Sequence, residues 1–222
     1  MLRPTAYSAI EPAPAPRLTG ALSTRNCYGR IIWAARDLMV RAHNPLFSVR
    51  DIAVASDLSP RAVYNHFNGP EALRRAVLRS MLDEVREGVE IDLPTNLPPE
   101  QAIPDFIRSA LAVLSSEVNV ALWNVIACHH LSDLWLPAAY HRLVRQPIIT
   151  SLELYLLRRA SFAARSADQV RPITLHLLGM IEAASVLPSL LRLETDAEGQ
   201  VPVDADFIAA SFLRAHLAAP NS

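Results

Sequence analysis

The stretch from Ser48 to Phe67, SVRDIAVASDLSPRAVYNHF, gathers side chains suited to reading a nucleic-acid surface. Arg61 offers a guanidinium able to hold a guanine edge through two hydrogen bonds, and Asn65 an amide that can do the same for adenine. Arg50 can reach a base or a phosphate. Chemistry of other kinds is poorly provided for. No Glu-x-x-His pair, Gly-rich phosphate loop or nucleophile–base spacing occurs, which argues against an enzyme. Cys128-His129-His130 invites a metal reading, but consecutive helical residues splay by about 100° and cannot chelate together. No metal and no cofactor is expected.

The elements that would position these side chains are two short helices joined by a tight turn. Ser48 is placed to N-cap the first, with Asp51 completing a capping-box pattern three residues on. Val49, Ile52 and Ala53 supply an apolar stripe at helical spacing. After Ala55-Ser56-Asp57-Leu58 comes a second start signal: Ser59 as N-cap and Pro60 at the first helical position, where its missing N–H costs nothing. Leu58 and Val63 stand where a hydrophobic staple fixes the angle of entry. If Leu58, Val63 and Phe67 face a core, then Arg61, Tyr64, Asn65 and His66 lie largely away from it. That is how a helix-turn-helix presents its recognition helix to the major groove. It is also how an ordinary surface helix of a bundle looks, and spacing alone leaves both readings open.

The chain of 222 residues is 51% hydrophobic, enough for one large core or two modest ones. With six glycines and few alternating β-branched runs, strand signals are weak, and an all-α fold is expected. There is no lysine; every basic residue other than histidine is arginine, a composition that suggests a GC-rich bacterial genome. The net charge of −1 conceals an asymmetry. Residues 1–81 hold 11 Arg against 5 acids, a balance of +6, whereas the rest hold 10 Arg against 17 acids, a balance of −7. A basic head on an acidic body fits a nucleic-acid surface confined to one end. Cys27 and Cys128 suggest no disulfide framework and fit a reducing cytoplasm. No stretch reaches the roughly 18 apolar residues needed to span a bilayer, and the N-terminus lacks a signal-peptide pattern. A cytoplasmic protein with no membrane partner is expected.

Taken in order, residues 1–23 contain EPAPAPRL, a run that favours extended polyproline II and reads as a disordered arm, either inert or lending Arg3 and Arg17 to phosphate or minor groove. A first helix is predicted from Thr24 to Ala42, with Ile31, Ala35, Leu38, Met39 and Ala42 buried and Asn44-Pro45 ending it. A fourth, starting near Gly69-Pro70, runs to about Glu90 and buries Leu73, Val77, Met81 and Val85. Beyond LPTNLPPE, helices are predicted over Pro99–Ser116, Val118–Leu131, Asp133–Ala164 with an interruption near Gln146-Pro147, Val170–Arg192 and Asp204–Ala219. The last two are apolar over more than one face. Ile173, Leu177, Met180 and Ala184, with Phe207 and Phe212, are candidates for an interface with a second copy, and Gly179, Ala183 and Ala184 would let helices approach closely.

Residues 25–85 resemble the DNA-binding domain of the tetracycline repressor (TetR) family of bacterial regulators. The likeness is carried by RIIWAARDLM (Arg30–Met39), SVRDIAVAS (Ser48–Ser56), LSPRAVYNHF (Leu58–Phe67) and GPEALRRAVLRSM (Gly69–Met81), with Tyr64-x-His66-Phe67 followed by Glu71-x-Leu73 as its most specific register. The resemblance implies a three-helix DNA-binding domain over 24–85, joined by a connecting helix to a larger helical domain over 86–222 that senses a ligand and forms a homodimer. It implies that Tyr64, His66 and Ser48 hold the phosphate backbone. The whole DNA-facing set is then Ser48, Arg50, Ser59, Pro60, Arg61, Ala62, Tyr64, Asn65 and His66. Two positions depart from the family pattern. Asp57 stands where a turn glycine is usual, and aspartate tolerates the left-handed conformation better than most residues. Pro70 replaces a frequent phosphate-binding lysine, so that one contact is lost or passes to Arg74 or Arg75.

The resemblance further implies a repressor released from a palindromic operator by a small-molecule effector. Phe106, Trp123, His129, Trp135, Tyr140 and Phe162 are the candidates to line its pocket, although aromatics at helical spacing are as readily core residues. A ligand-independent architectural or division-related DNA-binding protein is the alternative.

Overall fold

The computed structural model describes residues 24–42, 47–89, 93–129, 133–159, 165–190 and 205–216, and among these every regular element is helical. The predicted N-terminal arm, Asn44-Pro45 and Phe162 lie outside them, as does the side chain of His129. The order is α1 (Thr24–Ala42), α2 (Val49–Ala55), α3 (Pro60–His66), α4 (Pro70–Gly88), α5 (Pro99–Leu114), α6 (Glu117–His129), α7 (Trp135–Tyr140), a π-helical turn (His141–Arg145), α8 (Gln146–Leu157), α9 (Ala167–Ser185), α10 (Leu187–Leu190) and α11 (Ala205–His216).

The start signals read from the sequence are used as starts. Ser48, Ser59 and Ser166 cap α2, α3 and α9, while Pro60, Pro70 and Pro99 sit in the first turns of α3, α4 and α5. The first helix buries Ile31, Ile32, Ala35, Met39 and Val40 against α4, whose inner face is Leu73, Val77, Leu78, Met81, Leu82 and Val85. That apolar layer continues without a break into the helices beyond residue 99, so the head (α1–α4) and the body share one core. Among the described residues no single helix is long and apolar enough to cross a membrane. Cys27, half-buried, and Cys128, exposed, are free thiols.

Two expectations about helix ends change. The predicted interruption near Gln146-Pro147 is not a break: the chain stays helical from Trp135 to Leu157. Proline at position 147 has no N–H, and its ring would clash with the carbonyl four residues back. The turn just ahead widens instead, with the Gln146 N–H bonding the His141 carbonyl five residues earlier, and a π turn absorbs the misfit. The helix predicted over Val170–Arg192 stops at Ser185, and Pro188 lies in the separate short turn α10.

Candidate nucleic-acid interface

Local hydrogen bonds set the geometry of α2 and α3. The Ser48 hydroxyl accepts from the Asp51 N–H at 3.1 Å, and the Asp51 carboxylate accepts from the Ser48 N–H at 3.0 Å, a closed capping box. The Ser48 hydroxyl also donates to the Asp51 carboxylate at 2.7 Å, and this bond foremost, then the one from the Ser48 N–H and the neighbouring Arg50, hold the Asp51 carboxyl below its ordinary range. A carboxylate in the first turn also complements the positive end of the helix. In α3 the Ser59 hydroxyl accepts from the Ala62 N–H at 3.1 Å. Ile52, Ala53, Val63 and Phe67 point into the core, and Leu58 packs on it.

The turn between the two helices is a Schellman motif. The Leu58 N–H bonds the Ala53 carbonyl at 2.9 Å and the Asp57 N–H the Val54 carbonyl at 3.2 Å. Asp57 therefore takes the left-handed conformation, φ 52°, in the place where a glycine would be easiest. Arg30 of α1 clasps this turn from outside: its guanidinium donates to the carbonyls of Ser56 and Asp57 and lies 3.6 Å from the Asp57 carboxylate. Sequence reasoning missed that role, since nothing local to Arg30 announces a partner 26 residues away.

The result is an outward α3. Arg61 and Asn65 are exposed, Tyr64 is 56% exposed, and Ala62 and His66 are half-buried at the edge of the same face. Ser48, Arg50, Ser59 and Pro60 are exposed beside them. Such an arrangement offers donors, acceptors and a phenol on a short, doubly anchored helix with little side-chain burial to give up on binding. At the start of α4, Gly69 (φ 103°) turns the chain into Pro70. Of the two arginines expected to replace the family's lysine, Arg74 is engaged elsewhere: its guanidinium is 2.6 Å from Asp133, both side chains largely buried. Arg75 is exposed, its guanidinium 5.5 Å from the centre of the Trp135 ring.

The four candidate effector residues whose side chains are described do not converge on one cavity. Phe106 is a core residue of α5. Trp135 stands under Arg75 and Arg79 where α4 meets the body. Trp123 and Tyr140 do come together: the indole N–H donates to the Tyr140 hydroxyl at 2.9 Å, and the rings meet edge to face. That hydroxyl donates in turn to Asn119 at 2.7 Å, whose amide reaches the Leu114 carbonyl. Burial pushes the Tyr140 phenol well above its usual value. Asn119 was missed, and the signal for it is a lone amide inside the apolar run VNVALW. Close by in sequence, Arg145 of the π turn forms a two-pronged ion pair with Glu182 of α9, at 2.7 and 3.1 Å. Two open clefts among the described residues, about 590 and 530 Å³, lie instead along α1 and α4 beside Tyr28.

Of the residues named for a second copy, Ile173, Leu177 and Phe212 fill the core of their own chain, and Met180 and Ala184 are half-buried. Phe207 is 69% exposed. The outward face of α9 is Leu175, His176, Gly179 and Ala183, and a Cβ added at Gly179 would meet nothing within the chain. Leu178 and Ile181, which broaden the apolar stripe in the sequence, also face the chain's own core rather than a second surface.

No family profile matches the chain, and neither does any curated protein. Solved structures do. A protein from Mesorhizobium loti described as a TetR-family transcriptional regulator shares 19% identity over 89% of this chain and 98% of its own, with a TM-score of 0.65. A TetR-family transcriptional regulator from Streptomyces coelicolor shares 16%, over 89% and 84%, at 0.62. The transcriptional regulator FadR from Bacillus subtilis, in complex with stearoyl-CoA, shares 14%, over 87% and 100%, at 0.55. The chain has the fold of the TetR-family transcriptional regulators.

Proposed function

We propose that this chain is a sequence-specific, dimeric DNA-binding regulator of transcription, a repressor whose α3 enters the major groove. The observation that carries this reading is the outward face of α3, with Arg61, Tyr64 and Asn65 exposed on a helix capped by Ser59 and braced by the Arg30 clasp. Arg61 and Asn65 read base edges, with Arg50 beside them, while Tyr64, His66, Ser48 and the amides at the helix starts hold phosphates and set the register. Residues 24–85 act as the DNA-binding unit and 86–222 as the sensing and dimerising unit. Two copies meet across the exposed stripe of α9 and Phe207 of α11, so the operator is a near-palindrome with half-sites roughly 34–36 Å apart.

A small-molecule effector completes the reading. The supporting features are the buried polar cluster of Asn119, Trp123 and Tyr140 beside a π turn, a helical defect that often marks functional sites. A neighbour in fold space was solved with an acyl-CoA bound. Release requires the effector to prefer the shape that does not fit DNA; equal affinity for both shapes would change nothing. The test is selection and sequencing of random DNA fragments by the purified protein at low and moderate salt. A shared inverted repeat supports the proposal, and recovery of fragments with no common sequence refutes it.

A further inference from the structure

The joint between α4 and the start of α7 holds a cluster that DNA contact does not explain. Arg74 and Asp133 pair at 2.6 Å with side chains only 16% and 10% exposed. Two turns of α4 flank this pair with Arg75 and Arg79, whose guanidinium groups lie 5.5 and 5.7 Å from the centre of the Trp135 ring, within cation–π range. Thus three arginines of the helix that carries the head grip two residues that begin a body helix. The same body segment runs on through Tyr140, bonded to α6, to Arg145, bonded to Glu182 on α9.

An ion pair is a poor way to stabilise such a joint. Desolvating two charges offsets most of their attraction, and well-packed apolar side chains usually serve stability as well or better. What a paired charge adds is a required geometry. Unsatisfied donors point the same way: Arg74 Nε and Trp135 Nε1 are both buried without an acceptor, two of the three such atoms among the described residues.

We infer that Asp133 and Trp135 are positioning residues. Through Arg74, Arg75 and Arg79 they set the angle of α4 to the body, and hence the separation of the two recognition helices on DNA. The inference rests on the DNA-binding reading proposed above for its consequence, but not for its geometry. The joint lies in the first turns of α4, close to the end of α3, so its geometry fixes where α3 sits against the body and thereby which half-site spacing is accepted.

The decisive variant is Arg74→Met with Asp133→Leu, which replaces the pair by apolar side chains and leaves every DNA-facing residue intact. A merely structural pair predicts unchanged binding once thermal stability is matched. Positioning predicts an unchanged or higher melting temperature, together with affinity for the selected operator lower by on the order of tenfold, the size of an ordinary coupling between sites. It also predicts that operators lengthened or shortened by one base pair between half-sites are no longer discriminated. Trp135→Phe, which keeps the ring face for the arginines but removes the stranded N–H, should retain the spacing preference. Wild-type spacing preference in the double variant overturns the inference. A second readout needs no DNA: spin labels at the exposed positions Asn68 and Thr150, in a chain with Cys27 and Cys128 changed to Ser and diluted into unlabelled copies. A head–body distance distribution that shifts or broadens in the double variant supports positioning, and one that is unchanged overturns it. If the wild type selects no DNA while the distances shift, the proposed function fails and the joint's role stands.

Discussion

Removing one oxygen atom tests the polar cluster in the body. Tyr140→Phe keeps the ring, which is 2% exposed, and so opens no cavity. It deletes a hydroxyl that donates to Asn119 at 2.7 Å and accepts from Trp123 at 2.9 Å. Two ordinary hydrogen bonds contribute a net of about 1 kcal/mol each. Asn119 is fully buried, so its stranded carbonyl adds a desolvation penalty of about 1–3 kcal/mol, whereas the half-buried Trp123 N–H can turn to water. The expected loss is therefore about 3–5 kcal/mol, a large share of the roughly 5–15 kcal/mol by which folded domains are stable. Urea unfolding at fixed protein concentration measures it as a lower midpoint at unchanged slope. A loss below about 0.5 kcal/mol would mean that the cluster is not a closed network and would refute the reasoning. The same variant carries a pH signature. Burial raises the folded-state phenol above its ordinary value, so the unfolded chain gives up this proton first, near pH 10. Stability present below that pH is lost as it rises further, and Tyr140→Phe should remove that part of the alkaline decline. Tyr155, also raised by burial, keeps its share in both proteins.

Three other outcomes are expected. Arg61→Ala leaves folding untouched, because the side chain is exposed, but weakens operator binding by about 1–3 kcal/mol per half-site and relaxes preference at one symmetric base pair; an unchanged sequence logo from fragment selection rejects that role. Gly69→Ala costs about 1–3 kcal/mol in unfolding experiments, purely from a backbone at φ 103° and ψ 170°, since its Cβ would touch nothing; a neutral effect would contradict the turn into α4. Phe207→Glu places a charge on the exposed face of α11 and should give monomers in sedimentation velocity with helical content retained, whereas a persistent dimer would move the interface elsewhere.

What could be read from the sequence alone was local. Ser48 and Asp51, Ser59 and Pro60, and the apolar spacing in α1 act on neighbours within about four residues, so their partners were in view, and the helix starts followed. The same holds for Asp57, whose short polar side chain tolerates the left-handed turn that the Schellman bonds require. Tertiary packing decided everything that depends on which surfaces meet. Pro147 signals a break, yet the surrounding core kept the helix going by widening one turn. Leu175 and Leu177 are the same residue type two positions apart on α9, and only the presence of α5, α8 and α11 around it sends Leu177 inward and Leu175 outward. Arg74 reads as one more surface cation for phosphate until Asp133, 59 residues away, is brought against it. Hydrogen-bond caps are written in adjacent residues, whereas the partner of a charge or of an apolar face is fixed only when the chain closes on itself.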